Sequence, residues 1–359
     1  MKFDVLSLGD HLPDPHTRQY HETQAGRYRF WVELGVQAES LGYDAFWIGE
    51  HHCSDYIVSS PQMVLSAIAS RTRRITLGTA VSLLPTNDPV RLAEDFATLD
   101  LLSEGRAQIS FGSGFTEHTF ALFGKDSARS AEIGAEHLEL LEHLWNSTED
   151  INWQGVHRSP IHESRVQPRT LRGKAIPINR ATASSRETAE HAGRHGHRLM
   201  LMTVAGRYAD MRPLADIYRE AYERAGHPRE GMSVAALAYV HVKPDGDAAR
   251  RFWHPYRDNY RAFTAVLKES KVLTRGIQAL YEQIGAAGFA NREPDFCGAP
   301  EEITEKVLRA DADLGGIDRL LCLVDCGGIA GPAVLESVEQ FSRDVMPVVR
   351  AELGATQAA

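Results

Sequence analysis

The sequence is poor in cysteine: 359 residues carry only Cys53, Cys297, Cys322 and Cys326. Four scattered thiols cannot form a disulfide framework, so a reducing, cytoplasmic setting is expected. No apolar run approaches the roughly 20 residues of a membrane span. Basic charge is in deficit, with 39 Lys and Arg against 48 Asp and Glu and a net charge of −9. A protein that grips nucleic acid or an anionic membrane over its whole surface needs the opposite balance. The start, Met1-Lys2-Phe3-Asp4, passes into a short strand broken by Gly9 and Asp10 and has no signal-peptide character. A glycine-rich GxGxxG turn is also missing after that strand, where Leu8-Gly9-Asp10-His11 stands instead. Its absence weighs against a doubly wound dinucleotide-binding fold. The first strand has no HxH pair and the cysteines have no ligand spacing, so no metal is expected.

What is present is a globular composition, 43% hydrophobic and 24% charged, over about twice the usual domain length. Such a length suits two ordinary domains or one large barrel with insertions. The order of elements favours the barrel. Strand-like runs at Phe3–Leu8, Asp44–Ile48, Ile75–Leu84, Ala107–Phe111, Ala175–Asn179, Arg198–Met202, Val234–Val242 and Arg319–Val324 alternate with helix-period segments. Alternation implies parallel pairing, and eight strands close a (β/α)₈ barrel. The expectation is an α/β fold, one TIM-barrel domain over residues 1–359. Residues 146–174 and 243–298 are too long for simple connections and read as ordered insertions.

Active sites of such barrels lie at the C-terminal ends of the strands. There the sequence offers Glu50-His51-His52, Gly112-Ser113-Gly114, and the run Asn179-Arg180 followed by Thr182, Ser184, Ser185 and Thr188. A histidine at a strand end can shuttle protons near neutral pH. Hydroxyls at a helix start, with its free N–H groups, suit a phosphate. Residues 158–198 hold eight Arg and one Lys against three Glu, a net +6 within an acidic chain. The ordinary reading of the same features is a structural triplet, a capped helix and a solvated basic face. Together they point to a planar, phosphate-bearing cofactor across the barrel mouth. His11, Phe115, His241, Trp253 and Tyr256 are candidates to face a substrate.

The stretch from Thr79 to Asp95, TAVSLLPTNDPVRLAED, and the following Leu99–Arg106 segment, LDLLSEGR, resemble the bacterial luciferase family of flavin-dependent monooxygenases. Glu50-His51-His52 matches the same triplet in the luciferase α subunit, and Phe123-Gly124 and the Ser/Thr-rich run after the fifth strand extend the likeness. The resemblance implies a barrel that takes reduced FMN and O₂, forms a flavin hydroperoxide and oxygenates a small organic substrate. By the same resemblance His51 is the catalytic acid/base, with Glu50 and His52 shaping its surroundings. Ala80–Val81 matches a non-prolyl cis peptide under the isoalloxazine ring. Ser184, Ser185 and Thr188 hold the FMN phosphate, with Gly112 and Ser113 nearby. Ser113 replaces a phosphate-binding arginine of that subunit, which Arg180 or Arg186 would have to offset. A separate NAD(P)H:flavin reductase and a homodimer are the implied partners, and the insertions would serve as lids. Within the same family a deazaflavin-dependent oxidoreductase is the second reading. A non-catalytic flavin-binding or partner subunit is the third, disfavoured by the retained triplet.

Overall fold

The computed structural model describes residues 1–358 apart from 115, 205, 270–272, 275–277, 279–281 and 283–292. Its strands are β1 (Lys2–Ser7), β2 (Ala45–Ile48), β3 (Thr76–Thr79), β4 (Ser82–Leu83), β5 (Ala107–Gly112), β6 (Ile151–Trp153), β7 (Ile161–Ser164), β8 (Ile178–Thr182), β9 (Arg198–Leu201), β10 (Val234–Val242), β11 (Asp295–Gly298) and β12 (Arg319–Leu323). Eight of these, β1, β2, β3, β5, β8, β9, β10 and β12, pair in parallel and close on themselves through β12 and β1. This is the (β/α)₈ barrel that the alternation implied.

Its helices cover the outside of the ring. Those that position the site are α1 (Gln24–Ser40), α2 (Pro61–Ala69), α3 (Pro89–Leu102), α4 (Glu117–Leu122), α5 (Ser130–Asn146), α6 (Arg186–Arg194), α7 (Tyr208–Arg224) and α8 (Gly246–Glu269). Along β1, Phe3 packs outward on Phe341. Alternation therefore turns Asp4, Leu6 and Leu8 inward.

The lower interior is filled by a large ring and a buried ion pair. Arg319 grips Asp4 through Nε and Nη2 at 2.7 Å each, and the Trp47 indole N–H donates to the same carboxylate at 2.8 Å. A Cβ at Gly78 would collide with the Trp47 ring, so β3 carries glycine where β2 carries tryptophan.

Three parts of the sequence reading are corrected. The run Ile75–Leu84 is two strands, because the ladder breaks at Ala80–Val81, whose peptide is cis. It resumes as β4 beside the end of β5. The fifth barrel strand begins at Ile178 rather than Ala175, since Pro177 has no N–H to give to the ladder. An additional strand, β11, lies beside β10: β9 pairs with Val234–Ala236 and β11 with Tyr239–Val242. Both share the edge opposite β12.

The two insertions part company. Residues 146–174, which include the β6–β7 hairpin, join α5 to β8 and pack beside α3 and α5, where Arg158 meets Asp88 and Leu171 N–H meets Asp100. This insertion lies outside α3 and α5, reaching Asp88 at the α3 N-cap, and none of its residues lines the cavity at the mouth. The second insertion follows the C-terminal end of β10 and contributes α8 directly to the mouth.

Candidate active site

A cavity of about 270 Å³ opens at the C-terminal ends of the strands. Its floor is made of Ala80, Val81 and Gly112, with Ser113 and Gly114 at one side. Small residues are required there: a Cβ at Gly112 would stand 2.6 Å from Val81 Cγ2. Glu50 and His51 form the wall above β2, and α8 supplies a further stretch of wall.

Glu50 is almost fully buried and satisfied by three donors or partners. Asn87 Nδ2 donates to Oε1 at 3.0 Å, Leu83 N–H donates to Oε2 at 3.2 Å, and His52 Nε2 lies 3.1 Å from Oε1. The carboxylate thus ties the end of β2 to the turn after β4 and fixes His52. The His52 ring meets Phe123 edge-on, so His52 faces α4 and not the cavity.

His51 does line the cavity and stacks on Tyr56 at 4.0 Å. Burial pushes its pKa down to about 3, the His52 ring adds to that, and a hydrogen bond with the Leu8 backbone opposes it. At neutral pH the ring is therefore uncharged. It can pass a hydrogen bond to an oxygen at the mouth, and it takes up a full proton only when negative charge develops beside it.

Ser184, Ser185 and Thr188 stand at the start of α6, just past the lining residues Ala181, Thr182 and Ala183. Ser185 Oγ accepts from Thr188 N–H at 3.0 Å, and Thr182 Oγ1 accepts from Ser185 N–H at 2.8 Å. These hydroxyls order the turn and leave Ser184 and Ser185 exposed. Arg180 does not reach this helix start. Ala181 faces the cavity, so alternation turns Arg180 outward, where Glu142 and His191 sense its charge. Of the two arginines that could offset Ser113, Arg186 alone stands at the start of α6.

The residues expected to face a substrate are mostly elsewhere. His11 stacks on Tyr20 and bonds the Glu22 carbonyl. His241 is sealed between Phe252 and Trp253, and the Trp253 N–H is given to Asp295. Tyr256 donates to Asp14 at 2.8 Å. None of these four lines the cavity. Phe115 lies outside the described residues.

Luciferase-like monooxygenase is the family whose model matches residues 1–316. The chain belongs to that family. The alkanal monooxygenase alpha chain of the Kryptophanaron alfredi symbiont is 26% identical over 344 residues, covering 89% of this chain and 92% of that one. Three solved structures share the fold. The monooxygenase RslO1 of Streptomyces bottropensis has a TM-score of 0.83 at 24% identity, over 97% of this chain and 99% of that chain. The oxygenating constituent of 3,6-diketocamphane monooxygenase from Pseudomonas putida, a Baeyer–Villiger enzyme solved with FMN, has a TM-score of 0.77 at 18% identity, over 97% and 98%. An F420-dependent secondary alcohol dehydrogenase has a TM-score of 0.70 at 17% identity, over 97% and 98%.

In this family member the sequence reading missed one side of the mouth. Arg257, Tyr260, Arg261, Thr264 and Leu267 all line the cavity from α8, with Tyr239 below them on β10. Their spacing of three and four residues is a helical stripe and was legible as one. Pro255 inside the helix obscured it, as did the neighbouring aromatics, which point the other way.

Proposed function

We propose that the protein is a flavin-dependent monooxygenase that uses reduced FMN and O₂ to oxygenate a small organic substrate. The observation that supports this reading is the bare floor of Ala80, Val81 and Gly112 beneath a wall bearing His51. A flat ring system needs such a floor, because any larger side chain there would occupy its plane. The start of α6, with Ser184, Ser185, Thr188 and Arg186, would take the phosphate, its first N–H groups and dipole adding to the hydroxyls. Reduced FMN, when bound, supplies the electron pair with which O₂ delivers one oxygen atom to substrate while the other leaves as water.

The chain's own residues then have three tasks. His51 holds a hydrogen bond on the reacting oxygen and accepts or returns a proton there. Glu50 keeps the β2 and β4 ends in register, so that His51 and the floor stay aligned. The α8 wall, with Leu267 and the tyrosine pair Tyr56–Tyr260, excludes water. Reduced FMN would come from a separate NAD(P)H:flavin reductase. The experiment is to add reduced FMN to the protein without oxygen, then admit ¹⁸O₂ with a panel of candidate substrates. Label in an organic product is the expected result.

The fold shared with an F420-dependent dehydrogenase supports a second reading, hydride transfer to or from a deazaflavin. Anaerobic reduction of a carbonyl compound by reduced deazaflavin, with no protein-dependent oxygen uptake from reduced FMN, would establish it instead.

A further inference from the structure

The most buried charged side chain in the cavity wall has no hydrogen-bonded partner among the described residues. Arg257 is 1% exposed and its guanidinium lies over the Tyr239 ring at 3.8 Å. Among the described residues neither its Nε nor its Nη2 has a hydrogen-bond partner. The nearest carboxylate oxygen, Asp295 Oδ2, is 4.0 Å from Nε, beyond hydrogen-bond reach. Arginine stays protonated in proteins, and a buried charge is costly unless paired. A guanidinium that lines a cavity, and whose ion pair with Asp295 at 4.0 Å uses none of its donors in a hydrogen bond, can take a further anion.

The geometry narrows the anion. Nε and Nη2 form the side-on edge of a guanidinium, which matches the two oxygens of a carboxylate. This same chain uses that edge on a buried carboxylate in Arg319, which holds Asp4 through Nε and Nη2 at 2.7 Å each, and on exposed ones in Arg207 with Asp210 and Arg343 with Asp344. In Arg257 the equivalent pair of donors makes no hydrogen bond among the described residues.

The position narrows the rest. From Arg257 the wall runs through Tyr239 and Tyr260 to Tyr56, whose hydroxyl lies 2.6 Å from that of Tyr260, and on to the His51 ring stacked against Tyr56. Leu8, Met202, Val204 and Leu273 make the surface between apolar. We propose that the substrate is an organic carboxylate. Its carboxylate is gripped by Arg257, and an apolar body carries the reacting carbon toward His51. The proposal rests on the reading of this cavity as the oxygenation site, and Arg257 on this account is a binding residue for substrate, distinct from the phosphate site at α6.

The test needs no turnover. Calorimetric titration with 2-naphthoate and with its methyl ester compares an anion with a neutral molecule of the same body. The native chain is expected to bind the acid at least tenfold tighter than the ester. Arg257→Met should abolish that preference and leave ester binding within threefold, while Arg257→Lys should retain part of it. Ester binding by both variants serves as the check that they are folded. Absence of the preference in the native chain, or its survival in Arg257→Met, would overturn the proposal. A tenfold loss of FMN affinity in Arg257→Met with the acid preference intact would do so too, since Arg257 would then serve the cofactor. Failure of oxygen transfer with an Arg257-dependent acid preference would instead remove the monooxygenase reading and keep the carboxylate site.

Discussion

The imidazole of His51 lies flat on the phenol ring of Tyr56, with centroids 4.0 Å apart and planes 17° from parallel. The stack holds the ring edge toward the cavity and keeps water from it. His51→Gln should lower kcat by about 10²–10⁴, the range for removal of a general acid or base. Tyr56→Leu should leave the His51 side chain in place but less shielded. Its titration, followed by NMR, should move up from about 3 toward the ordinary value, and kcat should fall about tenfold. A Tyr56→Leu variant with an unchanged His51 titration would refute the shielding argument.

Gly112 sets how close a ring can approach the floor. Gly112→Ala places a methyl against Val81 Cγ2 and should raise the dissociation constant for FMN at least tenfold. Val81→Ala in the same chain should restore it, because the collision is removed. Equal FMN affinity in native and Gly112→Ala proteins, measured by flavin fluorescence, would show that the floor is not the flavin platform.

The Asp4–Arg319 pair is wholly inside the barrel. Burial raises the Asp4 pKa despite the guanidinium, so the carboxylate depends on its partner to remain charged. Arg319→Met should cost about 3–5 kcal/mol in chemical denaturation, as expected for a buried pair with one partner removed. The loss should shrink at lower pH, where Asp4 can take a proton. Asp4→Asn combined with Arg319→Met should recover much of the stability, since an amide oxygen still accepts from Trp47. A double variant no more stable than the single one would contradict this.

His241 is the clearest source of pH dependence. Burial, helped by Lys243, lowers its pKa from 6.5 to about 3. Between those values the unfolded chain binds a proton that the folded chain excludes, so stability falls as pH falls. At pH 5 the difference is about 1.5 units, or roughly 2 kcal/mol. His51 and His191 are depressed in the same direction. His241→Phe should therefore reduce the stability lost between pH 7 and pH 5 by about 2 kcal/mol. Parallel pH profiles for native and variant proteins would rule the histidine out.

Much of this molecule was readable from the chain alone. Strict alternation of apolar runs with helical segments specified the barrel, because parallel strands need helical crossovers and eight strands close. Where each strand ended gave the mouth, and with it Glu50, His51 and Gly112. Residue patterns fix a side chain's neighbours along its own element, and no further. They did not say that His52 turns to Phe123, that Arg180 faces Glu142, or that His241 is sealed between Phe252 and Trp253. They also did not separate an insertion packed outside α3 and α5 from one that lines the mouth. Barrel closure decided those points. It brings α8 to the same mouth as the end of β2, so that Arg257 and His51, remote in sequence, line one cavity.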